Sequence, residues 1–359
     1  MSVRAFRYDA MPGRVVFGPG TLNRLPEEAD RLHLQRVLIV STPGHTQTVE
    51  RATKLLGRVA AGVFTNAAMH TPVEVTEAAL ALAADLEVQG VVAIGGGSSI
   101  GLSKAIAFRT DWPQVVIPTT YAGSEATPVL GETSGGMKRT QRAMKVLPQS
   151  IIYDVELTLR LPVPISMASG LNAMAHAAEA LYSVDSNPLT DLMAEAASST
   201  LAEALPRIHS NAQDLEARTS ALYGAWLCGC CLANVGMALH HKLCHTLGGA
   251  FGLPHAQMHA VLLPHALAYN LPYASVAQET LARVFHHQDP AVALDRLARS
   301  LQLPRSLREL GMPEYGIDLA ADLAVRSSYP NPRPLERNGI RSLLARAWAG
   351  DVPSIAVVE

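Results

Sequence analysis

Short apolar runs and helical stretches alternate along the first part of the chain. Residues 36–40, 90–94 and 114–118 are rich in branched apolar side chains, which is typical of strands buried on both faces of a parallel sheet. Residues 73–85, between the first two runs, have helical composition and spacing. Strand, helix and strand in this order predict right-handed βαβ units and an open parallel sheet.

The pattern changes after about Asp154, where Ala, Leu and Met dominate and apolar residues recur at helical spacing. Residues 189–205 and 219–246 are predicted to form two long helices. A chain of 359 residues is too long for one ordinary core. We therefore predict an α/β dinucleotide-binding domain with a parallel sheet at 1–154 and an all-helical substrate and catalytic domain at 155–359.

Composition excludes some classes of function. The formal net charge is −2 and the sequence has no long basic or acidic run, which argues against nucleic-acid and membrane partners. Cys228, Cys230, Cys231 and Cys244 form no paired zinc motif and are expected to be buried, reduced thiols. The N-terminus lacks an apolar signal core and no apolar stretch is long enough to span a bilayer, so we expect a cytoplasmic protein.

Two loops at predicted strand ends indicate a dinucleotide site. The first follows the strand at 90–94 and precedes a predicted helix at 102–108, where glycines allow a ligand to approach and helix amides attract an anion. It lacks the lysine of a Walker motif. The second loop follows the next strand, at the edge where α/β sheets bind ligands. The candidate coenzyme residues of the two loops are Gly95, Gly96, Gly97, Ser98, Thr119, Thr120 and Ser124.

The end of the first strand bears on the choice of coenzyme. An acidic residue in this place binds the ribose of NAD and repels the additional phosphate of NADP. Here the chain has Ser41 and Thr42, and we assign Ser41 to the coenzyme site. We therefore expect NADH or NADPH to serve.

Histidines are concentrated in the second half of the chain. Asn172 and His176 are four residues apart, and so are His241 and His245, which places each pair on one helix face. His255 follows a turn of glycines and a proline. Such a group could be a metal site, a pocket for an anionic substrate or a proton relay. His259 and His265 are better explained as interior or surface residues.

Taken together, these motifs resemble the iron-containing alcohol dehydrogenase family, over essentially the whole chain. The motifs are Gly-Gly-Gly-Ser, Pro-Thr-Thr-x-x-Gly-Ser-Glu, Asn172-x-x-x-His176 and the His241, His245 and His255 segment, in the family's order. The resemblance implies a dehydroquinate synthase-like fold, an active site in the cleft between two domains, and a homodimer. It also places Lys145 near the coenzyme.

Departures from the family pattern point to one branch. In metal-dependent members an aspartate and three histidines bind the metal, and the matching positions are Asn172, His176, His241 and His255. His245 matches a further active-site histidine. Asn172 is neutral, and Gly101 stands where the family usually has an aspartate. With Tyr121-Ala122-Gly123 and Pro254-His255-Ala256, this resembles the maleylacetate reductase branch, so we assign no metal ligands and expect no metal requirement.

That branch implies a dicarboxylate substrate, maleylacetate, which is reduced to 3-oxoadipate in the degradation of aromatic compounds. Hydride addition to the alkene would generate an enolate that histidine donors can stabilise. Tyr121 or a histidine could then protonate the adjacent carbon. Arg333, in a proline-rich loop, is a candidate clamp for a carboxylate. The predicted catalytic residues are Tyr121, Asn172, His176, His241, His245 and His255.

Three alternatives stay open at this stage. One is a metal-dependent alcohol or aldehyde dehydrogenase of the same family, which differs at Asn172. Another is a lyase of the dehydroquinate synthase type, which would not consume NADH stoichiometrically. The third is a nucleotide-binding regulatory protein that has lost catalysis, against which the intact glycine loops and histidines argue.

Overall fold

A parallel sheet organises Ala10–Leu161 in the computed structural model, which describes residues 6–11, 13–135, 137–326 and 328–354. The sheet has the order β1-β8-β5-β4-β2-β3, and each neighbouring pair within these residues is parallel. The strands, including the antiparallel hairpin β6-β7, are β1 (Arg14–Gly18), β2 (Val37–Val40), β3 (Ala60–Phe64), β4 (Gly90–Gly95), β5 (Gln114–Pro118), β6 (Val129–Ser134), β7 (Met137–Arg142) and β8 (Ser150–Asp154).

The predicted α/β arrangement is confirmed. Strands β2, β4 and β5 are fully buried, because their branched apolar side chains fill the layers on both faces of the sheet. Val40 pairs with Ala93 and Gly95 pairs with Pro118, so the carboxyl ends of the three strands are adjacent. The loops that leave them therefore meet at one edge. Strands β1, β3 and β8 were not predicted.

Helices cover this sheet and make up most of the rest of the chain. The α-helices are α1 (Leu25–Arg31), α2 (Thr46–Leu56), α3 (Val73–Asp85), α4 (Gly97–Thr110), α5 (Val163–Ala180), α6 (Pro188–Ser210), α7 (Leu215–Asn234), α8 (Leu239–Phe251), α9 (His255–Asn270), α10 (Ser275–Phe285), α11 (Pro290–Ser300), α12 (Gly316–Val325) and α13 (Arg337–Ala349). Short 3-10 helices lie at Thr21–Arg24, Pro43–His45, Gly57–Val59, Ser124–Ala126, Met144–Val146, Val155–Arg160 and Leu271–Tyr273.

One compact unit is Ala10–Leu161, and the other joins the chain from Pro162 onward with the described residues 6–9. The boundary after Leu161 is somewhat later than the predicted one after Asp154. The 3-10 helix Val155–Arg160 stays with the sheet because Leu157 packs against the core under α1 and α2. From Pro162 onward the described chain is helical. Its core is formed by apolar faces of α8, α9, α12 and α13, which include Leu243, Leu262 and Leu344.

The prediction of one helix over 219–246 is wrong. Helices α7 and α8 are separate and bent by 95° at a break where Val235 is extended. Residues after α5 satisfy the backbone of this break: Ser183 donates to the Gly236 carbonyl, and Asp185 accepts from the Gly236 amide. Such partners, distant in the sequence, cannot be read from helical periodicity.

Two further predictions concern the cysteines and membrane spans. All four cysteines are free. Cys228, Cys231 and Cys244 are buried as predicted, whereas Cys230 is partly exposed. No single helix in the described ranges is long and apolar enough to cross a membrane. The bent pair α7 and α8 meets that criterion together, by length and composition only.

Candidate functional site

The two predicted coenzyme loops are in contact at the ends of β4 and β5. The Thr119 amide donates to the Gly95 carbonyl at 3.0 Å. A Cβ atom on Gly96 would lie 2.9 Å from Cγ2 of Thr120, so only a glycine allows this close approach. The structure thus brings together the glycine loop and the loop that begins at Thr119.

Gly97 begins α4 and has open space on its side-chain side. A Cβ atom at this position would meet no atom of the described chain within 4 Å. The first amides of α4, including that of Ser98, have no carbonyl of their own helix to bind. Open space beside helix N-terminal amides fits the pyrophosphate of a dinucleotide.

The position of the Ser41 side chain differs from the one expected of a coenzyme-binding residue. Its hydroxyl donates to the Ile94 carbonyl at 2.7 Å and the side chain is fully buried, because β2 and β4 are adjacent. The hydroxyl therefore links strands inside the sheet. Thr42, the next residue, is half-buried and is better placed to contact a ligand at this strand end.

Lys104 is a buried cation that the sequence analysis missed. Its ammonium donates to the carbonyls of Ser124, Thr127 and Val129 and to the Thr127 hydroxyl, at 2.6–3.0 Å. Burial lowers the pKa of Lys104 to about 7, and Glu125 opposes that shift. Because Lys104 belongs to α4, it joins this helix to the loop that contains Ser124.

Tyr121 lies in the loop after β5, between Thr120 and Ser124, whereas Lys145 lies elsewhere in the same unit. Tyr121 is fully buried directly after β5. The Lys145 ammonium lies 4.6 Å from the ring centroid of Phe108, near the carboxyl end of α4, whereas Gly97 begins that helix. The structure therefore does not place Lys145 beside the glycine loop, and both assigned roles stay predictions.

In the helical unit, α5 and α8 bring the predicted histidines together. Asn172 and His176 share one face of α5 and are both buried. The His176 ring stacks on the His241 ring with centroids 5.0 Å apart. Asn172 Oδ1, His176 Nδ1 and His241 Nε2 are buried atoms that form no hydrogen bond within the described part of the chain. Such atoms indicate a ligand site.

Glu179 completes this group and was missed. Its fully buried carboxylate accepts from His241 Nδ1 at 2.6 Å. The signal was present, because Glu179 lies three residues after His176 and seven after Asn172, on the same face of α5.

A second group of side chains that could bind a metal lies next to His241. His240 Nε2 is 3.0 Å from His259 Nδ1 and 3.6 Å from the Cys244 sulfur. All three side chains are buried, and their ligand atoms lie within 4.8 Å of one another. Imidazole and thiolate are ligands that zinc prefers. His259 is thus interior, as expected, but it also belongs to the histidine cluster.

The pKa values of three cluster histidines are shifted strongly. Burial, and then the imidazole of His241, holds the pKa of His176 well below its usual range. Burial, and then neighbouring histidines, does the same to the pKa values of His240 and His259. These rings are therefore neutral at pH 7, and each can donate one hydrogen bond and accept another.

His245 and His255 lie at the exposed margin of this cluster. The His245 ring centroid is 6.3 Å from that of His241, and the His255 centroid is 4.4 Å from that of His259. Arg333 instead stacks on Tyr269, at the opposite end of α9 from His255. Two residues before Arg333, Asn331 accepts from the Leu239 amide at the start of α8, and the clamp role of Arg333 stays a prediction.

The donor set fits iron poorly. At the family's ligand positions the chain offers one neutral amide, from Asn172, and the imidazoles of His176, His241 and His255. A hard divalent cation favours a carboxylate over an amide. The described site therefore lacks, at Asn172, the anionic ligand that such a cation favours.

Comparisons with known proteins identify the family. The sequence profile described as "Iron-containing alcohol dehydrogenase" matches residues 12–155, and "Fe-containing alcohol dehydrogenase family, C-terminal" matches residues 166–348. Maleylacetate reductase from Burkholderia cepacia is 52% identical over 352 residues, which cover 98% of this chain and 100% of that protein.

Solved structures give the same result. The crystal structure of maleylacetate reductase from Agrobacterium tumefaciens has a TM-score of 0.94 and 51% identity, with 98% of this chain and 100% of that chain covered. The crystal structure of maleylacetate reductase from Rhizobium sp. strain MTP-10005 has the same TM-score, identity and coverage. A 1,3-propanediol oxidoreductase, at 26% identity and 96% coverage of this chain (100% of its own), has a TM-score of 0.89.

Proposed function

This chain belongs to the iron-containing alcohol dehydrogenase family, and from that membership we propose that it is a maleylacetate reductase, which converts maleylacetate to 3-oxoadipate with NADH or NADPH. It is an oxidoreductase that uses a nicotinamide coenzyme. The relatives of about 50% identity over their full length support this substrate. A homodimer and a cytoplasmic location stay predictions.

One observation carries the choice within the family. The neutral amide of Asn172 lies beside His176, and Asn172 Oδ1, His176 Nδ1 and His241 Nε2 form no hydrogen bond in the described ranges. The resemblance places an aspartate at this position in metal-dependent members, and a neutral amide binds a hard divalent cation less strongly than a carboxylate does. A dianionic substrate is instead better accommodated where carboxylates are not exposed to it, and Glu179 is shielded by its own donors.

The reduction requires stabilisation of an enolate. Hydride addition to the alkene carbon β to the ketone places negative charge on the ketone oxygen, and a proton on the carbon α to the ketone completes 3-oxoadipate. A bound NADH or NADPH supplies the hydride. The imidazoles of His176, His241 and His245 are the donors that we assign to the charge. A histidine or Tyr121 delivers the proton.

The coenzyme is assigned to the glycine loop and the loop after β5. Gly96 and Gly97 give the backbone approach, while Thr119, Thr120 and Ser124 border it. Since Thr42 brings no negative charge to the end of β2, the ribose phosphate of NADPH meets no repulsion there. We propose that both coenzymes support turnover.

We propose further that turnover needs no added metal. The chelator test must allow for the buried set His240, Cys244 and His259, which could retain an ion that a chelator removes slowly. Metal analysis therefore accompanies each assay.

The decisive test is oxidation of NADH and of NADPH with maleylacetate, before and after chelation, with 3-oxoadipate measured as product. Turnover that survives chelation at substoichiometric metal would support the proposal. Absence of maleylacetate turnover, with chelator-sensitive reduction of aldehydes, would assign the chain to the metal-dependent alcohol dehydrogenases and overturn it.

A further inference from the structure

The Glu179 carboxylate, fully buried in α5, holds the start of α8. Its Oε1 accepts from the His240 amide at 2.8 Å and its Oε2 from the Ala238 amide at 3.0 Å. A buried ionised carboxylate is costly unless hydrogen bonds compensate it. Here the first amides of a helix, together with the helix dipole, provide that compensation.

The same carboxylate accepts from the side chain of His241 at 2.6 Å. Both of its oxygens are already bound to backbone amides, which can only donate. These amides stabilise the ionised form of Glu179, and an ionised Glu179 can only accept, so that His241 Nδ1 is then the donor of this hydrogen bond. A carboxylate that binds one imidazole nitrogen fixes the tautomer and the orientation of the ring.

With Nδ1 bound to Glu179, Nε2 is the ring nitrogen of His241 that can bind a ligand. His241 Nε2 is buried, forms no hydrogen bond within the described residues, and belongs to the ring that stacks on His176. We infer that Glu179 is a positioning residue of the reduction site, which presents His241 Nε2 to the substrate by holding Nδ1. The inference rests on the proposed function for its kinetic test, though not for its spectroscopic one.

Replacing Glu179 by glutamine keeps the size but not the acceptors. An amide has a single oxygen, and its NH2 group would face donors from Ala238 and His241. Loss of such an outer contact typically lowers activity about 10–100-fold. For E179Q we expect a fall of that size in kcat with maleylacetate, while the KM for NADH stays close to that of the wild type.

The matched control is E28Q. Glu28 is also fully buried and also accepts several hydrogen bonds, from Ser150, Arg14 and Arg31, but it lies in the other unit of the chain. This variant reports the general cost of removing a buried carboxylate. It should lower the melting temperature and leave kcat unchanged. A purely structural role for Glu179 predicts the same behaviour for E179Q.

The second measurement tests the wild type directly. Ring-nitrogen NMR shifts of 15N-histidine protein, with the His241 signals assigned through H241Q, show which nitrogen carries a proton. We expect a proton on Nδ1 in the wild type. In E179Q, if it folds, we expect a mixture of the two tautomers.

The outcomes separate this inference from the proposed function. A proton on Nε2 alone in the wild type overturns the inference, and so does an unchanged kcat for E179Q when the wild type reduces maleylacetate. A wild-type protein that fails to reduce maleylacetate contradicts the proposed function, and the NMR result then decides the inference by itself.

Discussion

The rings of His176 and His241 stack with their centroids 5.0 Å apart, although they come from different helices. Both rings are buried, and each keeps one nitrogen without a hydrogen bond in the described ranges. Two aligned imidazoles with available nitrogens can bind neighbouring oxygens of one substrate, such as a ketone and a carboxylate. The pair is therefore the centre of the proposed site.

Replacing His241 by glutamine should lower kcat with maleylacetate by about 10²–10³-fold, the usual cost of losing one donor to a developing oxyanion. The KM for NADH should stay unchanged. His265→Gln is the control, since His265 is a buried histidine of α9 whose neighbours Arg346 and Arg299 lie outside the cluster. Equal kcat losses in both variants, measured in steady state, would contradict the assignment.

Helical spacing alone located much of this site. It placed Asn172 and His176 on one face of α5, and the same spacing extends to Glu179 and relates His255 to His259. Those two assignments were missed because each residue, taken alone, is an ordinary core residue.

Other features depend on contacts between distant segments and could not be predicted. The break between α7 and α8 depends on Glu179 and Asp185, about 50 to 60 residues earlier. Ser41 binds inside the sheet because β2 is adjacent to β4. The local sequence pattern predicts the helices and strands, whereas these hydrogen-bond partners depend on how the helices and strands pack.

Asn172→Asp should restore metal binding and weaken substrate binding. A carboxylate supplies the anionic ligand that the site lacks, and it repels a dianion. We expect increased zinc or iron content by elemental analysis, and a KM for maleylacetate about tenfold higher, or ~1.4 kcal/mol. Asn172→Leu, which removes the polar group without adding charge, should gain no metal. An aspartate variant with neither change would refute the role given to Asn172.

Gly97→Ala should weaken coenzyme binding without disturbing the fold. The added methyl group meets no atom of the described chain within 4 Å, so the melting temperature should not fall. If a pyrophosphate lies against Gly97, the KM for NADH should rise about tenfold, or ~1.4 kcal/mol. Gly249→Ala, at an equally open glycine of α8, should leave this KM unchanged. An unchanged KM for NADH in Gly97→Ala would show that the pyrophosphate does not bind against this glycine.

Thr42→Asp should create a preference for NADH. A carboxylate at the end of β2 can bind a ribose hydroxyl and repels the phosphate of NADPH. We expect kcat/KM for NADPH to fall at least about tenfold relative to NADH, which is the size of one unfavourable charge contact, ~1.4 kcal/mol. Ser41→Ala is the contrasting variant, because its hydroxyl binds the Ile94 carbonyl inside the sheet. Ser41→Ala should lower the stability and leave the ratio of kcat/KM for NADPH to that for NADH unchanged. A change in this ratio would show that Ser41 contributes to coenzyme binding.

The stability contributed by Glu28 should depend on pH in a defined direction. Burial raises the pKa of this carboxyl, but hydrogen bonds from Ser150, Arg14 and Arg31 outweigh burial and lower the pKa below its usual value of 4.5. A depressed pKa means that the unfolded chain binds more protons as the pH falls. The stabilisation is therefore present above pH 4.5 and is lost as the pH falls through the lowered pKa.

Urea unfolding of the wild type and of E28Q at several pH values checks this. At pH 7 the variant should be less stable by about 1–3 kcal/mol, the scale for hydrogen bonds to a charged group. As the pH falls through the lowered pKa, the two free energies of unfolding should converge, because protonation removes the same charge that the substitution removes. A difference that stays constant with pH would show that Glu28 stabilises the sheet by packing and not through its charge.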